Sequence, residues 1–219
     1  MPEKKLFAIH NSLDYDTQKA LRERIQPSDI YKEHFKNDHP TIIFIGRLIK
    51  DKKLDILVDA LAKLRERDEM YNLVFVGNGT QKEELESHVS RLSLNEQVWF
   101  YGACYDECTN AELIFNSDLC IVPGAIGLTA IHSMMFGVPV ITHDYFPNHG
   151  PEFESIKSGI TGEYFKHNDS KSLVSAIQSW FSIHRDDRDA VRQACFNEID
   201  TKWNPYFQMD MIKKNLKLV

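Results

Sequence analysis

Short apolar segments alternate with longer segments of helical periodicity along most of the chain. Five apolar segments with β-branched or aromatic residues predict buried strands, and a weaker sixth follows them: residues 41–46, 73–77, 98–102, 118–122, 138–142 and 163–165. Apolar positions spaced three or four residues apart predict helices at residues 54–67, 81–92, 170–181, 187–199 and 206–216. Such alternation builds a parallel sheet covered by helices. We therefore predict an α/β fold, a Rossmann-like parallel sheet of about six strands with helices on both faces.

The two ends of the chain do not follow this alternation. Residues 6–40 contain one short apolar piece and then a polar, charged stretch with modest helical potential around residues 16–25. This is more chain than an α/β domain usually has before its first strand. The last helix follows Asn204-Pro205 and carries more apolar residues than one small sheet needs. We therefore divide the chain into a linker region at residues 1–40, a Rossmann-like domain at 41–202 and a C-terminal helix at 203–219.

Composition excludes several classes of function. With 219 residues, 42% of them hydrophobic, the chain can bury a full core. The net charge is -6 and the basic residues are scattered, which argues against a nucleic acid partner. No apolar run approaches the roughly 18 residues of a membrane span and no signal-type core follows the start, so we expect a cytoplasmic protein. The four cysteines lack paired spacing, which predicts reduced thiols and no metal site.

The stretch from Gly127 to Thr142 is the most informative part of the sequence. It has the order glycine turn, helix, glycine stop and buried strand, and it follows another buried strand. The turn is therefore expected at the carboxyl edge of the sheet. A helix start presents unpaired N–H groups and a partial positive charge, so Gly127, Leu128 and Thr129 predict a seat for a phosphate or diphosphate. The alternative is an ordinary strand-to-helix turn.

Two cations follow the first predicted strand at the same edge. Arg47 comes directly after Gly46, and Lys52 lies a few residues further on. Arginine grips a diphosphate with a planar fork and lysine supplies a mobile point charge, so the pair predicts a diphosphate clamp. The alternative is a solvated loop with ordinary surface charge.

Two further loops are expected at this edge. Gly77 and Gly79 lack the third glycine of a dinucleotide fingerprint, so we favour a close-approach turn over an NAD site. The loop at residues 142–154 concentrates histidines and aromatic residues, which are equally explained as turn or exposed residues. Within it, Gly150-Pro151-Glu152 can start a helix and place the Glu152 carboxylate near the hydroxyls of a sugar.

These residues resemble motifs of the carboxyl-terminal, donor-binding lobe of the retaining glycosyltransferases of family 4, which have the two-lobed GT-B fold. Gly46-Arg47-Leu48 followed by Lys52 resembles the family's GRL-xxx-K. Gly127-Leu128 and Gly137-Val138-Pro139-Val140-Ile141 resemble the GL and GxPVI that flank its donor helix. Gly159-Ile160-Thr161-Gly162 resembles its G-x-TG turn. Residues 127–133, GLTAIHS, are similar to a branch of bacterial surface-polysaccharide transferases.

The resemblance covers residues 41–183 and implies transfer of a hexose from a nucleotide-sugar, with no metal and no cofactor. It implies that Arg47 and Lys52 hold the donor diphosphate, with the N–H groups of residues 127–129 on its distal phosphate. Glu152 is then expected near the transferred sugar.

The chain departs from this family at two positions. The family brackets its donor helix with two glutamates eight positions apart, and this alignment places Gly124 and His132 there. The first glutamate normally meets the sugar and the second the ribose. A neutral imidazole both donates and accepts, so His132 is expected near the ribose. A histidine facing the core is the alternative.

The resemblance also accounts for the ends. Residues 9–14 resemble the connection between two lobes, and the helix after residues 203–205 resembles the one that crosses back. Catalytic groups are then expected largely in an amino-terminal lobe that binds a glycan or lipid-linked acceptor, and the chain alone is expected to transfer nothing. Peripheral attachment of the full-length enzyme to the inner membrane is compatible with this interpretation. The alternatives are half of a nucleotide-sugar epimerase or phosphorylase, and a non-catalytic nucleotide-binding or interaction module.

Overall fold

The computed structural model describes residues 7–216, in which six parallel strands form one sheet. The strands are β1 Thr41–Ile45, β2 Asn72–Val76, β3 Val98–Gly102, β4 Leu119–Val122, β5 Val140–His143 and β6 Gly162–Phe165. Their order across the sheet is β3-β2-β1-β4-β5-β6. The chain therefore winds outward in one direction from β1 and in the other from β4, and the prediction of a Rossmann-like sheet is confirmed.

The helices confirm most of the predicted pattern and add two elements. They are α1 Tyr15–Arg22, α2 Ile30–Phe35, α3 Leu54–Arg65, α4 Lys82–Arg91, α5 Glu107–Asn116, α6 Thr129–Met135, α7 Ser170–Ile183, α8 Arg188–Lys202 and α9 Pro205–Leu216. The sequence reasoning missed α2 and α5. α2 is only one and a half turns long, and the buried residues of α5 form a nearly continuous block near its end, which hides the helical period.

Helices cover both faces of the sheet, and the sequences of its inner strands are therefore continuous apolar segments. Every residue of β1, β2, β4 and β5 is buried. Helix α3 packs on α4 and α7 on one side, while α6 packs on α8 and α1 on the other. Strands buried on both faces have no polar side to alternate with, which explains why a pattern of short apolar segments identified them.

Residues 7–40, before the first strand, pack against the domain and do not form an extended linker. Tyr15 of α1 and Tyr31 of α2 are buried in the core, and Arg22 pairs with Asp200 of α8 at 2.8 Å. The Tyr31 hydroxyl donates to the Leu113 carbonyl at 2.5 Å. Much of residues 7–40 therefore folds onto the helical layer of α5, α6 and α8. The predicted role of this region as a connection between lobes stays a prediction.

The carboxyl-terminal helix α9 contacts the rest of the chain along one edge only. Tyr206, Met209 and Leu216 are 58%, 52% and 58% exposed, and none of its residues is fully buried. Gln208 donates to the His10 carbonyl at 2.7 Å, and the His10 ring packs on Trp203. α9 and the segment before α1 thus support each other. Residues 1–6 of the predicted linker region and 217–219 of the predicted C-terminal region lie outside the described residues.

Candidate ligand-binding site

The predicted site residues lie around the point where the strand order reverses. β1 and β4 are neighbours there, and the loops that follow them leave in opposite directions, which opens a crevice at the carboxyl edge. A cavity of about 350 Å³ occupies this crevice. It is lined by Leu13, Ile45, Gly46, Arg47, Val76, Gly77, Asn78, Ala103, Cys104, Tyr105, Asn110, Leu128, Thr129 and His132.

Glycines allow the loops of this edge to pack backbone against backbone. A Cβ atom on Gly77 would lie 1.8 Å from the Gly46 carbonyl oxygen, and one on Gly79 would lie 2.3 Å from that of Leu48. The loop after β2 is thereby held against the loop after β1, where Leu48 N–H donates to Asn78 O at 2.9 Å. Close packing of the two loops therefore explains why residues 77 and 79 are glycine, and Gly77 also lines the cavity. The predicted close-approach turn thus brings two loops together.

Gly124 lies where the backbone leaves no space for a side chain. A Cβ atom there would lie 1.9 Å from the Asp51 carbonyl oxygen and 2.7 Å from the Lys52 backbone. The Ala125 N–H donates to the same Asp51 oxygen at 3.2 Å, which joins the loops after β1 and β4. No side chain fits at residue 124 in this arrangement, so a carboxylate is excluded there.

The first turn of α6 faces the crevice. In residues 7–216 the N–H groups of Gly127, Leu128 and Thr129 have no hydrogen-bond acceptor. The Thr129 hydroxyl donates to the Ile45 carbonyl at 3.2 Å, which anchors this turn to the end of β1. The predicted helix start therefore sits at the carboxyl edge with three adjacent free donors.

Arg47 and Lys52 belong to the same loop but have different surroundings. The Arg47 side chain is exposed and lines the cavity. Lys52 is half-buried and its Nζ donates to the Ala125 carbonyl at 2.5 Å, outside the cavity lining. Burial lowers the pKa of Lys52, and the nearby positive charge of Arg47 lowers it further. The two cations are thus close enough to repel each other, and an anion between them would relieve that repulsion.

Glu152 is buried beside the glycines of the crevice. It lies in a 3-10 helix at Pro151–Ser155, which replaces the helix start that the sequence predicted. Its Oε1 accepts from the Asn11 amide at 2.7 Å, and a Cβ on Gly127 would lie 3.8 Å from its Oε2. Sequence reasoning did not identify Asn11, because 141 residues separate it from Glu152.

His132 is not turned into the core. Its Nε2 lies 2.7 Å from Glu107 Oε1, and Glu107 also accepts from the Gln18 amide at 2.8 Å. Burial opposes ionisation of Glu107, but the hydrogen bonds that its carboxylate accepts, led by the one from His132, outweigh burial, so the pKa of Glu107 is lowered. Glu107 and Gln18 were missed because they lie on α5 and α1, far apart in sequence.

The histidines of the loop after β5 form a structural cluster. The Ile126 N–H donates to His149 Nδ1 at 3.2 Å, so His149 Nε2 carries the proton that it donates to the His143 carbonyl at 2.9 Å. The His143 ring packs on those of His149 and His167. Burial lowers the pKa of His143 to about 4, with help from the other two imidazoles. In the described part of the chain, no group of three or more His, Cys, Asp or Glu side chains is arranged to hold a metal ion.

A Rossmann-like domain with free backbone donors and an arginine at its switch point has the architecture of a phosphate-ligand-binding domain. Residues 26–195 match the family Glycosyl transferases group 1, and the chain belongs to this family. The uncharacterized glycosyltransferase MJ1607 of Methanocaldococcus jannaschii is 27% identical over 179 residues, which cover 77% of this chain and 43% of the relative.

Solved structures show the same fold. A glycosyltransferase from Rickettsia africae superposes with a TM-score of 0.77 at 21% identity, covering all of this chain and 59% of that one. Alr3699/HepE from Anabaena, in complex with UDP-glucose, superposes with a TM-score of 0.74 at 22% identity, covering 96% of this chain and 57% of that one. The present chain thus spans about half the length of these proteins. Within residues 7–216 no helix combines the length and apolar character that a membrane crossing requires.

Proposed function

We propose that this chain is the donor-binding lobe of a retaining, family 4-like hexosyltransferase of polysaccharide biosynthesis. The observation that carries the proposal is that Arg47, Leu128 and Thr129 line one cavity at the switch point, where the N–H groups of residues 127–129 have no acceptor within residues 7–216. The complex of the Anabaena relative with UDP-glucose favours a UDP-sugar as the donor.

The diphosphate is assigned to the two cations and the first turn of α6. Arg47 offers a planar fork from the cavity wall, and the N–H groups of residues 127–129 bind the distal phosphate. An ammonium group has three donors, so Lys52 can keep its bond to Ala125 and still donate to a phosphate. These groups stabilise the charge that a leaving diphosphate gains in the transition state.

The ribose and the sugar are assigned to the two sides of this turn. His132 lines the cavity, and we assign it to the ribose. Glu152 uses one oxygen for Asn11, which leaves Oε2 beside Gly127 as an acceptor for a sugar hydroxyl. With phosphate charge balanced by Arg47, Lys52 and backbone donors, the proposed donor binding requires no metal ion or cofactor.

A second lobe is proposed to complete the enzyme. The exposed apolar residues Tyr206, Met209 and Leu216 of α9, with Phe7 and Ile9 before α1, support a partner lobe at this end. That lobe would bind a glycan or lipid-linked acceptor, in the cytoplasm or at the inner face of the membrane. A diphosphate held by one lobe lacks the positioned acceptor and the exclusion of water that lower the barrier.

Thermal-shift screening against UDP-, GDP-, ADP- and CMP-sugars tests the donor site, because a ligand that binds only the folded form raises its Tm. We expect one base to raise the Tm and its free nucleoside diphosphate to bind by calorimetry. No shift with any of them would reject the proposal. A non-catalytic module would also bind, and an epimerase half would change the configuration of the sugar, which NMR of the recovered ligand detects.

Transfer assays test whether the chain is sufficient. We expect background hydrolysis and transfer by the 219-residue chain, and turnover once an amino-terminal lobe is supplied in cis. Turnover by the chain alone at about 1 per second or faster would show that a second lobe is not needed.

A further inference from the structure

Glu107 binds His132 and is not among the residues that line the cavity. Glu107 is the first residue of α5, and the Asp106 carboxylate caps this helix by accepting from Thr109 N–H at 2.8 Å. The cap holds the start of α5, and the Gln18 amide of α1 holds the Glu107 carboxylate next to His132 of α6. His132 Nδ1 has no hydrogen-bond partner in residues 7–216, and His132 lines the cavity.

The chemistry of this pair decides which imidazole nitrogen carries the proton. The hydrogen bonds of His132 and Gln18 favour the ionised form of Glu107. An ionised carboxylate only accepts hydrogen bonds, so the His132 proton belongs on Nε2. The lone pair of a neutral ring then lies on Nδ1, the nitrogen that the chain leaves unused.

We propose that Glu107, steadied by Gln18, is a positioning residue that fixes the Nε2–H tautomer of His132 and makes Nδ1 an acceptor for a ribose hydroxyl. The inference rests on the proposed function, because it specifies which atom binds a ribose hydroxyl of the donor nucleotide. An imidazole so held performs the accepting role of a carboxylate without adding a negative charge beside the diphosphate. Besides His132, the titratable residues that line the cavity are Arg47, Cys104 and Tyr105. The residues of α1 and of the end of α6 that contact the pair are uncharged: Gln18 binds Glu107, and Phe136 packs on His132.

A merely structural Glu107 would behave differently. Its hydrogen bonds also join α1, α5 and α6, so its loss would loosen the cavity wall and weaken every nucleotide by the same factor. A tautomer-setting Glu107 affects only ligands that carry the ribose hydroxyl in question. The ratio of affinities for a nucleotide and its deoxy analogue therefore separates the two roles.

The experiment is calorimetric titration with UDP, 2′-deoxy-UDP and 3′-deoxy-UDP, or the same series in whichever base the nucleotide screen selects. We expect the wild type to prefer UDP over one deoxy analogue by roughly 2- to 12-fold, the range for one neutral hydrogen bond. Both His132→Ala and Glu107→Ala should abolish this preference. Glu107→Gln keeps an oxygen that accepts from Nε2–H and should retain part of it, and it also serves if Glu107→Ala fails to fold.

Two controls complete the test. Glu112→Ala removes a carboxylate from the same helix, where it accepts from Ser28 outside the cavity, and should leave the preference intact. Nitrogen-15 NMR of the imidazoles should show the Nε2–H tautomer of His132 in the wild type and a mixture in Glu107→Ala.

An unchanged preference in Glu107→Ala, or an Nδ1–H tautomer in the wild type, would overturn this inference while leaving the donor site in place. Equal binding of UDP and both deoxy analogues by the wild type would do the same. Failure of the wild type to bind any nucleoside diphosphate would overturn the proposed function, and this inference with it.

Discussion

The two edges of the sheet carry cavities that differ in size and in construction. The amino-terminal edge has the larger one, about 530 Å³, walled by Tyr71, Trp180 and Phe181. Its Arg188 already pairs with Asp118 at 2.7 Å and donates to the Ser117 carbonyl. At the carboxyl edge the cavity is about 350 Å³, and adjacent backbone N–H groups beside Arg47 have no partner in the described residues. We assign the ligand to the smaller cavity because an arginine and unpaired N–H groups of a helix start, which bind anions, lie together there.

The largest expected effect tests the close packing that builds the carboxyl edge. Gly124→Ala places a methyl group 1.9 Å from a backbone oxygen that cannot move independently, and we expect a loss of about 3 kcal/mol or more in the free energy of unfolding. Gly102→Ala is the control, because its φ of +94° is unfavourable for alanine but nothing lies within 4 Å of the new atom. It should cost about 1–2 kcal/mol. Urea unfolding with an unchanged m value measures both, and equal losses would contradict the packing argument.

Exchange of an arginine at each edge tests the difference in function. Arg47→Ala should weaken binding of the preferred nucleoside diphosphate by about 1.5–3 kcal/mol, the range for hydrogen bonds to charged groups. Arg185→Ala removes an arginine from the lining of the amino-edge cavity and should leave the affinity unchanged. Calorimetry decides between the edges. Lys52→Ala belongs to the same experiment, and unchanged affinity in both Arg47→Ala and Lys52→Ala would refute the clamp.

Acid should weaken the carboxyl edge through His143. The unfolded chain takes up this proton near pH 6.5, whereas the folded imidazole, with a pKa of about 4, stays neutral to lower pH because it is buried and lies beside the His149 and His167 rings. The stabilisation from a neutral His143 is therefore complete above about pH 6.5 and is lost as the pH falls toward 4. Urea midpoints at pH 8, 5.5 and 4.5 should fall less steeply in His143→Gln than in the wild type. Parallel profiles would show that His143 is not responsible.

The smallest expected effect belongs to the amino-terminal edge. Arg188→Ala breaks a partly exposed ion pair and should cost about 1 kcal/mol or less in the free energy of unfolding, with no change in nucleotide affinity. The loss should shrink in 1 M salt, since screening weakens such a pair. A clear loss of nucleotide binding in this variant would contradict the assignment of the nucleotide site to the carboxyl edge of the sheet.

Much of the fold could be predicted because burial on both faces leaves a simple signal. All six strands were located from their apolar segments, and Gly127 and Gly137 bracketed α6 correctly. α5 was missed because Leu113, Ile114 and Phe115 are buried in succession and show no helical period. The fold brings the predicted site residues together only in part: Arg47 and His132 line the cavity, while Lys52 and Glu152 are not among its lining residues. Their predicted roles in binding stay predictions.

The sequence by itself determined the sheet, the turn at Gly127 and the set of charged groups near it, because each depends on local periodicity, glycine placement and the polarity of neighbouring positions. Tertiary structure alone decided which side chains near the site contact one another. Gln18, Glu107 and His132 come together from three helices, and Asn11 meets Glu152 across 141 residues. It also decided that Gly124 has no room for a carboxylate, since the obstructing atoms belong to the loop at Asp51 and Lys52. Such contacts depend on how loops from different strands meet at one edge, and no local pattern in the chain encodes that meeting.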